Sequence, residues 1–131
     1  VKEAEEATSG AIRVHIETSS AGEVLHRAAW VFKKLGMHKT AERNGVLFYL
    51  AVEDRKFAII GDAGINAKVP AGFWDSINEH ILENFKAGKF TEALSEGIIL
   101  TGQQLKAHFP YQKDDLNELP DEISFDKPIG E

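Results

Sequence analysis

The chain has no cysteine, which excludes disulfides, thiolate zinc sites and thiol nucleophiles together. It also has no apolar run approaching the roughly 18 residues of a membrane-spanning helix. Its longest unbroken run, "GVLFYLAV" from Gly45, is strand length. An excess of basic residues is missing as well: 15 Lys and Arg stand against 21 Asp and Glu. Without a basic stripe, binding to a phosphate backbone is not the expected business of this chain, so no nucleic-acid partner is expected. Proline is scarce, at four, and two of the four fall within the last 12 residues.

What is present fits one ordinary domain. At 131 residues, with 43% hydrophobic and 27% charged side chains, the chain is large enough to bury a core without metal or disulfide staples. The net charge of -6 is unevenly placed. Residues 114 to 131 hold seven acids (Asp114, Asp115, Glu118, Asp121, Glu122, Asp126, Glu131) against Lys127 alone, whereas the preceding body is balanced. A body of residues 1–110 followed by an acidic tail, 111–131, is the expected organisation. Leu116, Leu119, Ile123 and Phe125 give that tail apolar anchors for docking on its own domain or on a partner. The opening "VKEAEEA" reads as the tail of a helix that begins upstream. No secretory leader pattern is visible, so the expected compartment is the cytoplasm.

"AIRVHIET" alternates with period 2: Ile12, Val14 and Ile16 share one face, Arg13, His15 and Glu17 the other, as in a half-buried strand. "EVLHRAAWVFKKLG" shifts to helical spacing, with Val24, Ala28, Val31 and Leu35 in a stripe and Gly36 as its stop. "GVLFYLAV" is apolar on both faces, which predicts a central strand covered from both sides. "KFAIIG" follows closely enough to pair back as a hairpin. Two helices are then predicted. One starts near Pro70, buries Phe73, Ile77, Ile81 and Phe85 and stops at Gly88; the other takes Thr91 as N-cap, buries Leu94, Ile98, Leu105 and Phe109, and ends at Pro110.

The order strand, helix, strand, strand, helix, helix predicts an α/β protein: a small mixed sheet with helices on both faces. A right-handed crossover makes the first two strands parallel, so the hairpin partner must finish where they start. Ser9-Gly10, Arg43-Asn44 and Gly61-Asp62 should therefore gather along one edge, with the Pro70 helix entering beside them.

"RNGVLFYLAVEDRKFAIIGDAGIN", "FWD" and "FKAGKFTEALSEGI" resemble the TPM domain family, named for thylakoid-lumen, photosystem-repair and acetylcholine-receptor-modulator proteins. The likeness runs from about Ser9 to Phe109. "GMHKT" and "FPYQKDDLNELPDEISF" are similar to a short soluble bacterial branch of it. The resemblance implies a three-layer α/β/α sandwich. It also implies one of two activities: acid phosphatase, reported for some plant members with a divalent cation near acidic residues, or regulation and assembly through protein contacts, frequently in the cell envelope. That habit makes the envelope the alternative compartment. Many members carry Gly-Leu-Glu where this chain has Gly64-Ile65-Asn66, so an amide replaces a carboxylate. Where members commonly place an acid after Ser-Gly, this chain has Ala11.

Asp62 and Asp75 are the expected pair for Ca²⁺ or Mg²⁺, with Asn44 and Asn66 as further oxygen ligands. Against that, Asp62 would cap its own turn and Asp75 would sit in a first helical turn, where negative charge is favourable. Arg43, with Ser9 and Gly10, would suit an anionic ligand. A phosphohydrolase would draw on Asp62, Asp75 and Arg43 as its catalytic groups. The five His are scattered, and none sits four residues from another on a helix. The leading expectation is a binding or accessory module acting on a protein partner. The alternatives are a metal-dependent acid-phosphatase-like enzyme and a ligand sensor that keeps the pocket without the chemistry.

Overall fold

A computed structural model describes residues 11–20, 22–110 and 123–125. The opening segment, with Ser9 and Gly10, and Leu116 and Leu119 of the tail lie outside the described residues. Strand β1 (Ala11–Glu17) leads through helix α1 (Val24–Lys34) and a 3₁₀ turn (Met37–Lys39) into β2 (Gly45–Ala51). Strand β3 (Lys56–Gly61), a single helical turn α2 (Ala63–Asn66) and helices α3 (Phe73–Lys86) and α4 (Phe90–His108) follow, and β4 (Ile123–Phe125) comes last.

The sheet order is β3-β2-β1-β4. β1 pairs in parallel with β2, from Ala11 opposite Gly45 to Glu17 opposite Ala51. β3 returns antiparallel along β2. The crossover reasoning thus holds: Asp62 donates its backbone N–H to Gly45 O at 2.9 Å, which joins the end of β3 to the start of β2. β4, within the acidic segment, runs parallel to β1 on its other side, Ile123 opposite Val14 and Phe125 opposite Ile16.

Strand parity divides the core into two layers, and the molecule is a three-layer α/β/α sandwich. Ile12, Val14, Val46, Phe48 and Leu50 point toward α3 and α4 and pack with Ile77, Ile81, Ala93 and Leu105. Ala11, Leu47, Tyr49 and Ala51 point the opposite way, onto Ala28, Val31 and Phe32 of α1 and Met37 of the 3₁₀ turn. Gly97 permits the close approach of α4. A Cβ there would stand 3.0 Å from Ile77 Cγ2 and 3.3 Å from Ile81 Cδ1.

Three local expectations are corrected. The polar face of β1 is not solvated: Arg13, His15 and Glu17 are all buried, and Arg27 of α1 reaches over to Glu17. α3 begins at Phe73 rather than near Pro70, after Gly72 in a left-handed conformation. Thr91 lies inside the first turn of α4, whose N-cap is Lys89, and Leu94 and Ile98 are only partly buried while Ala93, Thr101 and Gly102 take the fully buried stripe.

Candidate functional site

The edge where β2 starts and β3 ends is built around Arg43. Its backbone is left-handed, with φ of 54°, a conformation that a bulky side chain rarely adopts without outside support. That support is visible. The Arg43 carbonyl accepts the N–H of Gly64 at 2.7 Å and of Ile65 at 3.3 Å, so α2 is pinned against it. The approach requires glycine: a Cβ on Gly64 would lie 2.0 Å from Glu42 O and 2.6 Å from Arg43 O.

The side chain is fixed too. Arg43 donates from Nε to Asp62 Oδ2 at 2.7 Å and from Nη2 to Oδ1 at 2.8 Å, a two-pronged pair. Asp62 Oδ1 also accepts the Ala63 N–H at 2.8 Å, as N-cap of α2. Asp62 is only 6% exposed, while the guanidinium lies at the surface. The hydrogen bond to Asp62 raises the Arg43 pKa above its already high usual value.

The other expected ligands are engaged elsewhere. Asn66 donates through Nδ2 to Gly61 O at 2.7 Å and accepts Trp74 Nε1–H through Oδ1 at 2.7 Å, tying the end of β3 to α3. Asn44 is 1% exposed, and its backbone N–H donates to Thr40 Oγ1 at 3.2 Å. Asp75 stands exposed in the first turn of α3 and lines a separate depression with Asn66, Val69 and Trp74. Among the described residues no group of three or more His, Asp or Glu could hold a metal ion. An ion on Asp62 would sit beside the positive Arg43 guanidinium, which already bonds both carboxylate oxygens.

A second polar cluster lies at the opposite end of the parallel strands, and reading the sequence did not find it. Glu17, the last residue of β1, is 2% exposed. Arg27 of α1 donates to it from Nε at 2.9 Å and from Nη2 at 2.6 Å. The Tyr49 hydroxyl donates to Glu17 Oε2, and His15 Nε2 lies 3.3 Å from Oε1 while its ring stacks on Tyr49 at 6.1 Å. Burial pushes the Glu17 carboxyl up, but the bonds from Arg27, Tyr49 and His15 outweigh it and hold its pKa below the usual value. Burial, with the bond to Glu17, pushes the Tyr49 hydroxyl well above the tyrosine range. The signal was present in two places. Tyr49 is the one polar side chain in an otherwise apolar two-faced strand, and its strand parity matches that of Glu17 through the Ala11–Gly45 register.

The sequence profile of the TPM domain matches residues 1–104. The chain belongs to the TPM domain family. Among solved structures, this TPM domain superposes on the NMR structure of the BA42 protein from the psychrophilic bacterium Bizionia argentinensis with a TM-score of 0.84 and 47% identity, covering 95% of this chain and 86% of that one. An N-terminal domain of a protein from P. gingivalis matches with a TM-score of 0.59 and 22% identity, covering 77% of this chain and 68% of that chain, a likeness of fold alone. No curated protein matches. No helix among the described residues of the TPM domain is long and apolar enough to cross a membrane.

Proposed function

We propose that this TPM domain is a binding or accessory module acting through contacts with a protein partner. The observation that carries the reading is the state of Asp62. Both of its oxygens are committed to the Arg43 fork and the Ala63 N–H, so the acid best placed to ligate a metal or start a reaction serves instead as cap and counter-ion. A surface feature of the kind found at protein interfaces supports the same reading. Trp30 on α1 is 49% exposed, with Arg27 4.3 Å and Lys34 4.7 Å from its ring centroid.

The second reading, a metal-dependent acid-phosphatase-like phosphohydrolase using Ca²⁺ or Mg²⁺ with Asp62, Asp75 and Arg43, is favoured by one feature. The left-handed Arg43 backbone is a conformational outlier, and such outliers collect at working sites. Release of phosphate from para-nitrophenyl phosphate, measured with and without Ca²⁺ or Mg²⁺, separates the two. The binding reading predicts the same rate for the natural chain and for Asp62→Asn, whose amide still caps Ala63. Metal-dependent release that disappears in Asp62→Asn overturns it.

A further inference from the structure

The Arg43 guanidinium has a second outlook. It lines, with α1 and β3, a cleft of about 420 Å³, within the range of small-molecule sites. Its apolar lining is Ala29 and Phe32 from α1, and Ile60 from β3. The polar groups of the cleft are Lys33, His38 and Arg43, with Asp62 behind Arg43.

Two details define what would fit. First, Asp62 uses two of the five N–H bonds of the Arg43 guanidinium, which leaves three donors in a plane already fixed by the pair. A held guanidinium loses less side-chain entropy on binding than a free one. Second, Lys33 and Arg43 against Asp62 leave one net positive charge among these three side chains. That balance matches a single negative charge better than a dianion.

We propose that this cleft binds a small monocarboxylate with an apolar body, its carboxylate between Arg43 and Lys33 and its hydrocarbon part on Phe32 and Ile60. The ordered pair Arg43–Asp62 acts as the anchor and Lys33 as the mobile second charge. The proposal rests on the binding reading above, because it keeps Asp62 as the counter-ion of Arg43.

The test is an amide chemical-shift titration of the isotope-labelled full chain with phenylacetate, its neutral isostere phenylacetamide, and inorganic phosphate. Phenylacetate should give saturable shifts at Ala29, Lys33, His38 and Gly61, with phenylacetamide and phosphate each at least about tenfold weaker. Lys33→Gln, a change at an exposed position, should weaken phenylacetate by about tenfold and leave the remaining spectrum in place. Absence of saturable shifts at about 10 mM phenylacetate overturns the proposal. So does equal binding of the amide, which removes the charge argument, or tighter binding of phosphate, which removes the monoanion argument. An unchanged affinity in Lys33→Gln overturns the role of Lys33. Phosphate release in the para-nitrophenyl phosphate assay would contradict the binding reading without touching these shifts, so the two failures are distinguishable.

Discussion

Arg27 reaches from α1 across to the last residue of β1 and holds the buried Glu17 carboxylate with its Nε and Nη2 groups, the shorter bond being 2.6 Å. This pair fastens the crossover helix to the carboxyl end of the sheet, and Tyr49 from the neighbouring strand closes the network. Removing Arg27 strands a charge away from water. Arg27→Met should destabilise the fold by about 3 kcal/mol, the lower part of the range for breaking a buried pair because Arg27 keeps some exposure. Glu17→Leu combined with Arg27→Met should recover much of that loss. Urea unfolding of the two single variants and the double variant measures the coupling directly.

The same network sets an acid limb. Glu17 has a folded-state pKa below its ordinary value of 4.5, so its contribution to stability is present above that value and is lost as pH falls through the depressed folded value. Glu17→Gln should therefore be less stable than the natural chain at neutral pH, and the gap should narrow below about pH 4.5. Unfolding midpoints across an acid series check it.

Tyr49 behaves with the opposite sign. Its folded-state pKa is raised, so its contribution is present below the ordinary value of 10.0 and declines as pH rises beyond it, when the unfolded chain ionises first. Tyr49→Phe should remove that alkaline limb and cost about 2 kcal/mol at neutral pH through the lost bond to a buried carboxylate. Tyrosinate absorbance during alkaline titration should show one of the two tyrosines ionising only with unfolding.

Much of this architecture was legible in the chain. The two-faced apolar run predicted a central strand, and the handedness of one crossover then placed Asn44 and Asp62 at a common edge. The capping role of Asp62 was also readable from Gly-Asp-Ala-Gly. The Arg43–Asp62 pair was not, because it depends on a left-handed backbone at a non-glycine residue, which no residue pattern announces. The burial of Glu17 escaped for a different reason: alternation reports which side chains are polar, not whether a helix will cover them. β4 escaped because three residues within an acidic segment are too few to show a period.

Gly64 and Gly97, both at close approaches, should differ in consequence when substituted. Gly64→Ala places a methyl 2.0 Å from a fixed backbone oxygen, so α2 must move away from Arg43 and the loss should reach about 3 kcal/mol. Gly97→Ala meets only side-chain atoms, at 3.0 Å and beyond, and should cost about 1 kcal/mol as Ile77 shifts. Thermal unfolding of the pair tests the order.

Backbone and side chain at Arg43 can be separated. Arg43→Gly and Arg43→Ala both remove the partner of Asp62, but only glycine accepts a positive φ without strain. Arg43→Gly should unfold at the higher urea concentration of the two, and both below the natural chain.

Asp62 serves as the counter-ion of Arg43 rather than as a free carboxylate. The most direct test is the amide and Arg Nε–H spectrum of the natural chain titrated with Ca²⁺ and Mg²⁺. A sharp Arg43 Nε–H resonance should persist through the titration, with no saturable shift at Asp62, Asn44, Asn66 or Asp75. Saturable shifts at those residues, accompanied by loss of the Arg43 Nε–H signal, would contradict this pairing and make Asp62 a metal ligand.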